Sequence, residues 1–370
     1  IMATSKKPNT LKINPGSLVS TNAIKKGSWN AGKNLRQGQG RQLAIFPECC
    51  IETDGTSTVL VVRVTDGAGD ATPQSAVVLS DEIFGTDGDP HNLKSQYAAC
   101  SGNKLIFVPA TGVNIVNGVG ELTIPNITTG NDGVVVEGCV DAAMPSLFPE
   151  WRQYDHVMYV FGKSVNSFAA YAYVGFGKSV FRAGNAIKLS MQMHEFGHNL
   201  GLRHSGYNGV EYGDTTGYMG ADVRQDDTPL MCFNAAQSWA LGWYNETGKE
   251  SYLTLSSGPI SWDGQLVGID DYLYSDDFVN GQHRVVVKIE SPTASYDDLY
   301  MMYNRKEGAN SEVVQHGDKV TIVSTSGLGE QSWLEAFITE DDVGGHHFVN
   351  WDGNGNDLVV EVCERAFGVK

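Results

Sequence analysis

The feature that most constrains this chain is the run His194-Glu195-Phe196-Gly197-His198-Asn199-Leu200-Gly201-Leu202-Arg203-His204. It sets three imidazoles and one carboxylate at the spacing H-E-x-x-H-x-x-G-x-x-H. Side chains four apart share a helix face, so His194 and His198 can reach one metal ion. Glu195 then lies beside the ion's open coordination position. Gly201 can take the left-handed conformation that stops a helix and turns the chain, which returns His204 as a third ligand. Three nitrogen ligands with a fourth position left for water predict a hydrolytic zinc (Zn2+) site.

The rest of the chain must supply a domain to hold that helix. Its 370 residues suffice for two domains, or for one large domain with an appended module. A hydrophobic content of 41% with 19% charged residues is that of a globular protein with a proper core. The formal charge of −17 argues against nucleic acid or an anionic membrane as partner and reads as a solvated acidic surface. No apolar run reaches the length of about 18 residues that a membrane span needs. The opening Ile1-Met2-Ala3-Thr4-Ser5-Lys6-Lys7 lacks the apolar core of a signal peptide, and a start on isoleucine reads as a processed or truncated product.

Secretion is therefore argued indirectly. Cys49, Cys50, Cys100, Cys139, Cys232 and Cys363 form an even set that permits disulfides, and no C-x-x-C spacing points to a cysteine zinc site. Sequons at Asn126-Ile127-Thr128 and Asn245-Glu246-Thr247 fit a secreted glycoprotein. Cytosolic free thiols are the alternative.

Taken in order, residues 1–45 are rich in Lys, Asn, Gly, Ser and Gln and read as an N-terminal extension, either a propeptide remnant or an arm lying on the domain. Residues 46–248 read as the catalytic domain. Strands are expected at Val59–Val64, Leu105–Val108, Val119–Ile127, Gly133–Val136 and the apolar run His156–Phe161, with Ala169–Val174 as an edge strand. Helices are expected at Ser75–Phe84, Leu93–Ala99, Ile187–Leu200 and Asn234–Leu241. Residues 249–370 change texture. The runs Tyr252–Leu255, His283–Ile289, Leu299–Tyr303, Lys319–Val323 and Leu358–Val362, separated by Gly/Asp/Asn turns, predict a β-rich, sandwich-like module. The expected class is thus α+β.

The eleven-residue motif with the following Ser205 resembles the metzincin clan of zinc peptidases. Met219, within Gly217-Tyr218-Met219-Gly220, matches the clan's methionine turn, which lies as a floor beneath the three histidines. The flanking text is similar to the gametolysin family, extracellular matrix-degrading peptidases first known from green algae. Val61-Val62-Arg63-Val64-Thr65-Asp66, Gln96-Tyr97-Ala98-Ala99-Cys100-Ser101, Glu211-Tyr212-Gly213-Asp214 and Cys232–Trp243 carry this resemblance, which runs from about residue 58 to 245. It implies a mixed twisted sheet with an active-site helix, zinc on His194, His198 and His204, Glu195 as catalytic base, and a secreted monomer acting on matrix or cell-wall protein. Some gametolysins carry Gln at the first ligand position, whereas His194 is kept here. Some metzincins place a metal-approaching tyrosine two residues after the methionine. That position is Ala221, and Tyr218 precedes the methionine. Cys49 and Cys50 are candidates for a silencing prodomain cysteine, with disulfides as the plainer reading.

Other polar features have plain readings. His156 in an apolar strand reads as a core histidine, and His346-His347 as a turn or strand start. Asp352-Gly353-Asn354-Gly355-Asn356-Asp357 hints at a Ca2+ loop but lacks the expected glycine and glutamate, so a hairpin turn explains it better. Trp333 and Trp351 are core residues or a surface for a glycan or matrix protein. A non-catalytic adhesion protein on a metzincin scaffold is the alternative function, and an intact Glu195 speaks for the enzyme.

Overall fold

The computed structural model describes residues 52–166, 168–220, 226–256, 261–274 and 278–364, and the backbone of 9–15. Cys49, Cys50, Ala221 and most of the 1–45 extension lie outside the described residues. In chain order the first elements are β1 (Asn9–Pro15), β2 (Gly55–Thr65), α1 (Ala76–Phe84), α2 (Leu93–Ser101), β3 (Leu105–Pro109), β4 (Ile115–Val116) and β5 (Val119–Thr123). Next come α3 (Gly133–Leu147), β6 (His156–Phe161), β7 (Ala170–Ala172), β8 (Lys178–Arg182), α4 (Leu189–Asn199), β9 (Ser205–Tyr207) and α5 (Ala235–Leu241). The remainder holds β10 (Tyr252–Leu255), β11 (Trp262–Leu266), α6 (Ile269–Tyr274), β12 (His283–Arg284), β13 (Val286–Ile289) and β14 (Asp298–Tyr303). It closes with β15 (Val320–Thr325), β16 (Ser332–Ile338), β17 (His346–Phe348) and β18 (Leu358–Glu364). This is a mixed α/β protein with several sheets and few, short helices.

The spine of the first sheet is β2. Its first half pairs with β3 and its second half with β5 along the same edge, while β6 pairs along the other, all in parallel. The order β4-β5-β2-β6-β8-β7 ends on antiparallel edge strands at both sides. Alternation along β2 sorts its side chains between two cores, as a sheet covered on both faces requires. Val59 and Val61 join the cluster that holds Leu79, Tyr97 and Phe196 of α1, α2 and α4. Leu60, Val62 and Val64 join Val136, Val140 and Met144 of α3 on the opposite face. The site helix therefore packs behind the sheet, as expected.

Two expectations in this half need correction. Gly133–Val136 is not a strand but the first turn of α3, capped by the Asp132 side chain, which accepts from Val134 N at 3.0 Å. The three valines favour a strand locally, but Val136, Val140 and Met144 recur every fourth residue and bury one stripe on the sheet, which outweighs local preference. Strand β8 was not anticipated, because Lys178 and Ser179 interrupt its apolar pattern. Both are buried, and Lys178 Nζ lies 2.5 Å from Glu137 Oε1 and 2.8 Å from Asp141 Oδ1 on α3. Tyr171 and Tyr173 donate to Glu137 at 2.9 and 3.0 Å, so the same network ties the edge strand β7 and the residues after it to α3. His156 is a core histidine as read, stacked on Phe196 at 5.1 Å. Burial holds its pKa down to about 4.

The tail builds two sheets, β10-β13-β14-β15-β16-β9 and β12-β11-β1-β18-β17, the first taking in β9 and the second holding β1 between β11 and β18. Val287, Met301 and Ile322 of the first share one apolar cluster with Leu266, Val360 and Val362 of the second. The expected single strand His283–Ile289 is split at the buried Val285. Its first two residues pair with β11 in one sheet and its last four with β10 and β14 in the other. Strands β11 and β16 were not anticipated. The Asp352–Asp357 segment joins the antiparallel β17 and β18 as a hairpin connection. Asp352 accepts there from the backbone of Asn354 and Asn356 and from the Asn356 amide. His346-His347 opens β17, in line with the strand-start reading. Among the described residues one disulfide is present, Cys100–Cys232, joining α2 to the segment before α5. Asn126 and Asn245, the two sequon asparagines, are exposed.

Replacing Lys178 by Met should leave the buried Glu137 carboxylate uncompensated and destabilise the fold by about 3–5 kcal/mol, read as a fall in the urea midpoint. An unchanged midpoint would show that the network carries no net stability.

Candidate metal centre and its surroundings

Helix α4 is buried on nearly every side, so polar anchors rather than an amphipathic face set its position. The Gln192 amide donates to Ala186 O at 2.7 Å, and Tyr97 Oη donates to Met193 O at 2.9 Å. At the far end Asn199, fully buried, donates to the carbonyls of Phe176 and Lys178 at 2.6 and 2.9 Å. Gly175 N donates to His198 O at 2.9 Å. The helix end and the loop that follows the edge strand β7 are thus one rigid junction. Gly201 has φ +92, the left-handed conformation expected of it, and the chain turns there.

The structure brings His194, His198 and His204 together, with one ring nitrogen of each within 4.8 Å of the others. Every Nδ1 is already committed. His194 Nδ1 lies 2.8 Å from Tyr218 O, His198 Nδ1 2.7 Å from Leu202 O, and His204 Nδ1 2.7 Å from Glu211 Oε1. Carbonyl and carboxylate oxygens only accept, so each Nδ1 carries the proton and each Nε2 presents a lone pair. Two of those lone-pair nitrogens, on His198 and His204, lie 3.1 Å apart. With no hydrogen between them they repel unless a cation sits among the three rings. Burial, reinforced by the neighbouring imidazoles, holds His194 down to about 3 and His198 to about 4, which favours the neutral, ligating form. Glu195 is 6% exposed, and its Oε2 has no partner among the described residues. Burial pushes its carboxyl up to about 8. Three gathered imidazole nitrogens, with an unpartnered carboxyl on the residue next to the first, fit a divalent cation and a water.

Met219 is fully buried beneath this cluster's helix, and a Cβ on Gly197 would lie 2.5 Å from its sulfur. The glycine inside the motif is therefore required by the methionine. Tyr218 does not face the histidines with its ring hydroxyl, which donates to Pro229 O at 2.7 Å in the core, while its carbonyl holds His194. The turn is locked by Asp214, which is inaccessible to solvent. One oxygen accepts from Thr216 N and Thr216 Oγ1, the other from Ser205 Oγ and Asn234 Nδ2.

The third histidine is held from the tail. Arg203 N donates to Gly329 O at 2.9 Å and Ser332 N to His204 O at 3.1 Å. Immediately after His204, β9 runs parallel to β16 with Ser205 opposite Ser332. Asn234 completes the junction by donating to Ser332 Oγ at 2.9 Å.

Two residues at the site had no role assigned from sequence. Glu211 orients His204, and the Tyr212 ring lies 4.1 Å from the His204 ring and 6.1 Å from that of His194. Tyr212 is 39% exposed and forms an accessible wall of the site. The available signal was an acidic and an aromatic residue together, seven and eight positions after the last histidine, within the stretch already quoted for its resemblance.

Removing the outer-sphere carboxylate with Glu211→Ala should weaken Zn2+ binding by about 10–100-fold in a competition titration against a chelating dye. Gly329→Ala probes the tail's hold on the same residue. Gly329 has φ +72, and a Cβ there would lie 2.6 Å from Gly201 O, so Zn2+ affinity should fall although residue 329 touches none of the rings. Unaltered affinity would show that the tail does not position His204.

Residues 66–280 match the family described as gametolysin peptidase M11. The curated protein Autolysin of Chlamydomonas reinhardtii is 35% identical over 108 residues, covering 27% of this chain and 17% of that relative, so the match spans less than a fifth of its length. A solved structure described as a chaperone-substrate complex aligns at 16% identity over 46% of this chain and 28% of that chain, with a TM-score of 0.24, too low to compare folds. The family match covers more than half of the chain and includes all three histidines, Glu195 and Met219, and the chain therefore belongs to the gametolysin peptidases.

Proposed function

We propose that this peptidase is a secreted, zinc-dependent endopeptidase that hydrolyses peptide bonds of extracellular matrix or cell-wall proteins. The observation that carries the reading is the commitment of all three Nδ1 atoms, which frees the Nε2 lone pairs of three histidines whose ring nitrogens lie within 4.8 Å of one another, with an unpartnered Glu195 oxygen on the residue next to His194. His194, His198 and His204 are the proposed ligands, Glu195 the base, and Met219 the floor. Zinc would supply Lewis acidity toward the scissile carbonyl and would lower the pKa of the attacking water.

The chain's own residues do the rest. Glu195 takes the water's proton and later returns it to the leaving amine, a role that typically contributes about 10²–10⁴-fold. A bound cation would draw its carboxyl down from about 8 toward the range where it acts as base. The substrate lies extended along β7, whose outer edge has no paired strand among the described residues, and pairs as an added strand. Tyr212 flanks the scissile bond. In this reading residues 46–248 form a metzincin-type catalytic domain, 249–370 a sandwich-like module and 1–45 an extension, and the protein acts as a monomer. The exposed sequon asparagines and the Cys100–Cys232 disulfide support secretion. A non-catalytic scaffold is disfavoured because it has no use for a buried, unpartnered Glu195.

Glu195→Ala should keep one zinc per chain by metal analysis and lose cleavage of a generic unfolded protein substrate by at least about 100-fold. Undiminished cleavage would refute the assignment. Chelation should abolish wild-type activity, and zinc should restore it.

A further inference from the structure

A second site lies in the tail, on the same strand that holds His204. Beyond its pairing with β9, β16 carries Glu335 into the wall of a cleft of about 400 Å³. Ser324 of β15 lies on the same wall, while Phe348 of β17 and Trp351 in the turn toward β18 belong to the second sheet. Tyr296 and Asp297, just ahead of β14, and His347 of β17 line it as well. The cleft therefore opens between the two sheets, within the range of about 300–1,000 Å³ typical of small-molecule sites.

Its lining has a definite chemistry. Tyr296 and Phe348 are partly exposed, and their rings lie 5.6 and 6.1 Å from that of Trp351, so three aromatic side chains stand together. The exposed carboxylates of Asp297 and Glu335 add acceptors, and Ser324 Oγ donates to Glu335 at 2.6 Å. Trp351 is 94% buried, so it backs the two partly exposed rings while they face the cleft. An anion is disfavoured by the two carboxylates. A single cationic side chain suits the carboxylates and the rings but fills only part of a cleft of about 400 Å³. A neutral polyhydroxyl ring suits the whole cleft, because its C–H faces stack on the aromatics, its hydroxyls donate to the carboxylates and its bulk fills the space.

We propose that this cleft binds a neutral saccharide. Free sugar and sugar carried on a protein substrate share the required chemistry. In the second case the cleft would add a binding contact along β16 beyond the metal centre, and only that extension rests on the peptidase reading.

The experiment uses the whole chain and titrates it, by calorimetry and tryptophan fluorescence, with three probes: a neutral hexose trisaccharide, a sialylated trisaccharide and trilysine. Saturable binding of the neutral sugar alone is expected, weakened at least about ten-fold in Asp297→Asn/Glu335→Gln, whose carboxylates contribute charged hydrogen bonds. Tyr296→Ala should weaken it as well. Both variants should cleave an unglycosylated protein substrate at the wild-type rate, which separates this site from the peptidase centre. A protein-borne source is indicated if the variants slow cleavage of a neutral glycoprotein but not of its deglycosylated form. Equal loss on both forms would contradict that source. Binding of trilysine in preference to the sugar, or no saturable binding of the neutral sugar, overturns the proposal.

Discussion

The structure depends most on how the chain is captured just after it leaves the site helix. The motif can place two histidines on one face by helix geometry, but the third lies past a turn and must be held by something else. Here it is held by backbone pairing to a strand more than a hundred residues away in sequence. Ser332 N binds His204 O, β9 joins β16, and Gly329 O receives Arg203 N. Asp214 sits behind this junction with four donors on its two oxygens, drawn from β9, the methionine turn and the cap of α5. Hydrogen bonds to a charged group contribute about 1.5–3 kcal/mol each, and the penalty for leaving one unmade in a dry interior is as large. The carboxylate thus makes a cooperative knot of elements that would otherwise move separately.

The same logic of committed polar atoms runs through the rest of the site. Asn199 spends its amide on the loop after β7, so the helix end and the proposed substrate edge move together. Glu137 and Lys178 then fix that edge to α3 through two tyrosines. Gly197 leaves room for the Met219 sulfur, and the carbonyl before Met219 orients His194. The Cys100–Cys232 bridge closes a separation of 132 residues and restricts the unfolded chain by roughly 4–5 kcal/mol. Among the atoms without a hydrogen-bond partner in the described residues is Glu195 Oε2, on the residue next to His194, and the ring nitrogens of His194, His198 and His204 gather within 4.8 Å of one another. These are the groups a cation and a water would satisfy.

Much of the first sheet was legible because its strands are buried on both faces and read as predominantly apolar runs, broken by Arg63 in Val59–Val64 and opened by His156 in His156–Phe161. Helices α1 and α5 were legible from end to end, since Ser75 and Asn234 cap them and glycines close them. Where reading failed, the cause was long-range. Val134 and Val135 favour a strand by themselves, yet stand exposed on α3 because Val136, Val140 and Met144 bury together. Lys178 hid β8, since a buried amine is intelligible only once its carboxylate partners are known. In the tail, β16 escaped because it buries Ser332 and Ala336 while Trp333 and Phe337 stay half-exposed, and a single run such as His283–Ile289 serves two sheets.

By itself, then, the sequence determined the chemistry on offer. Spacing of four along a helix puts His194 and His198 on one face whatever surrounds them, and a glycine three residues later permits the turn toward His204. It also determined which runs must be buried, because apolar periodicity is a local property. Only the tertiary structure decided how the site is completed. Glu211 reaches His204, Tyr212 lies over it, and β16 holds it from the far half of the chain, and these contacts depend on chain reversals that no local pattern encodes. The physical reason is that hydrogen-bond satisfaction is a condition on the whole fold: each Nδ1 proton finds its acceptor only after every neighbouring segment has been placed.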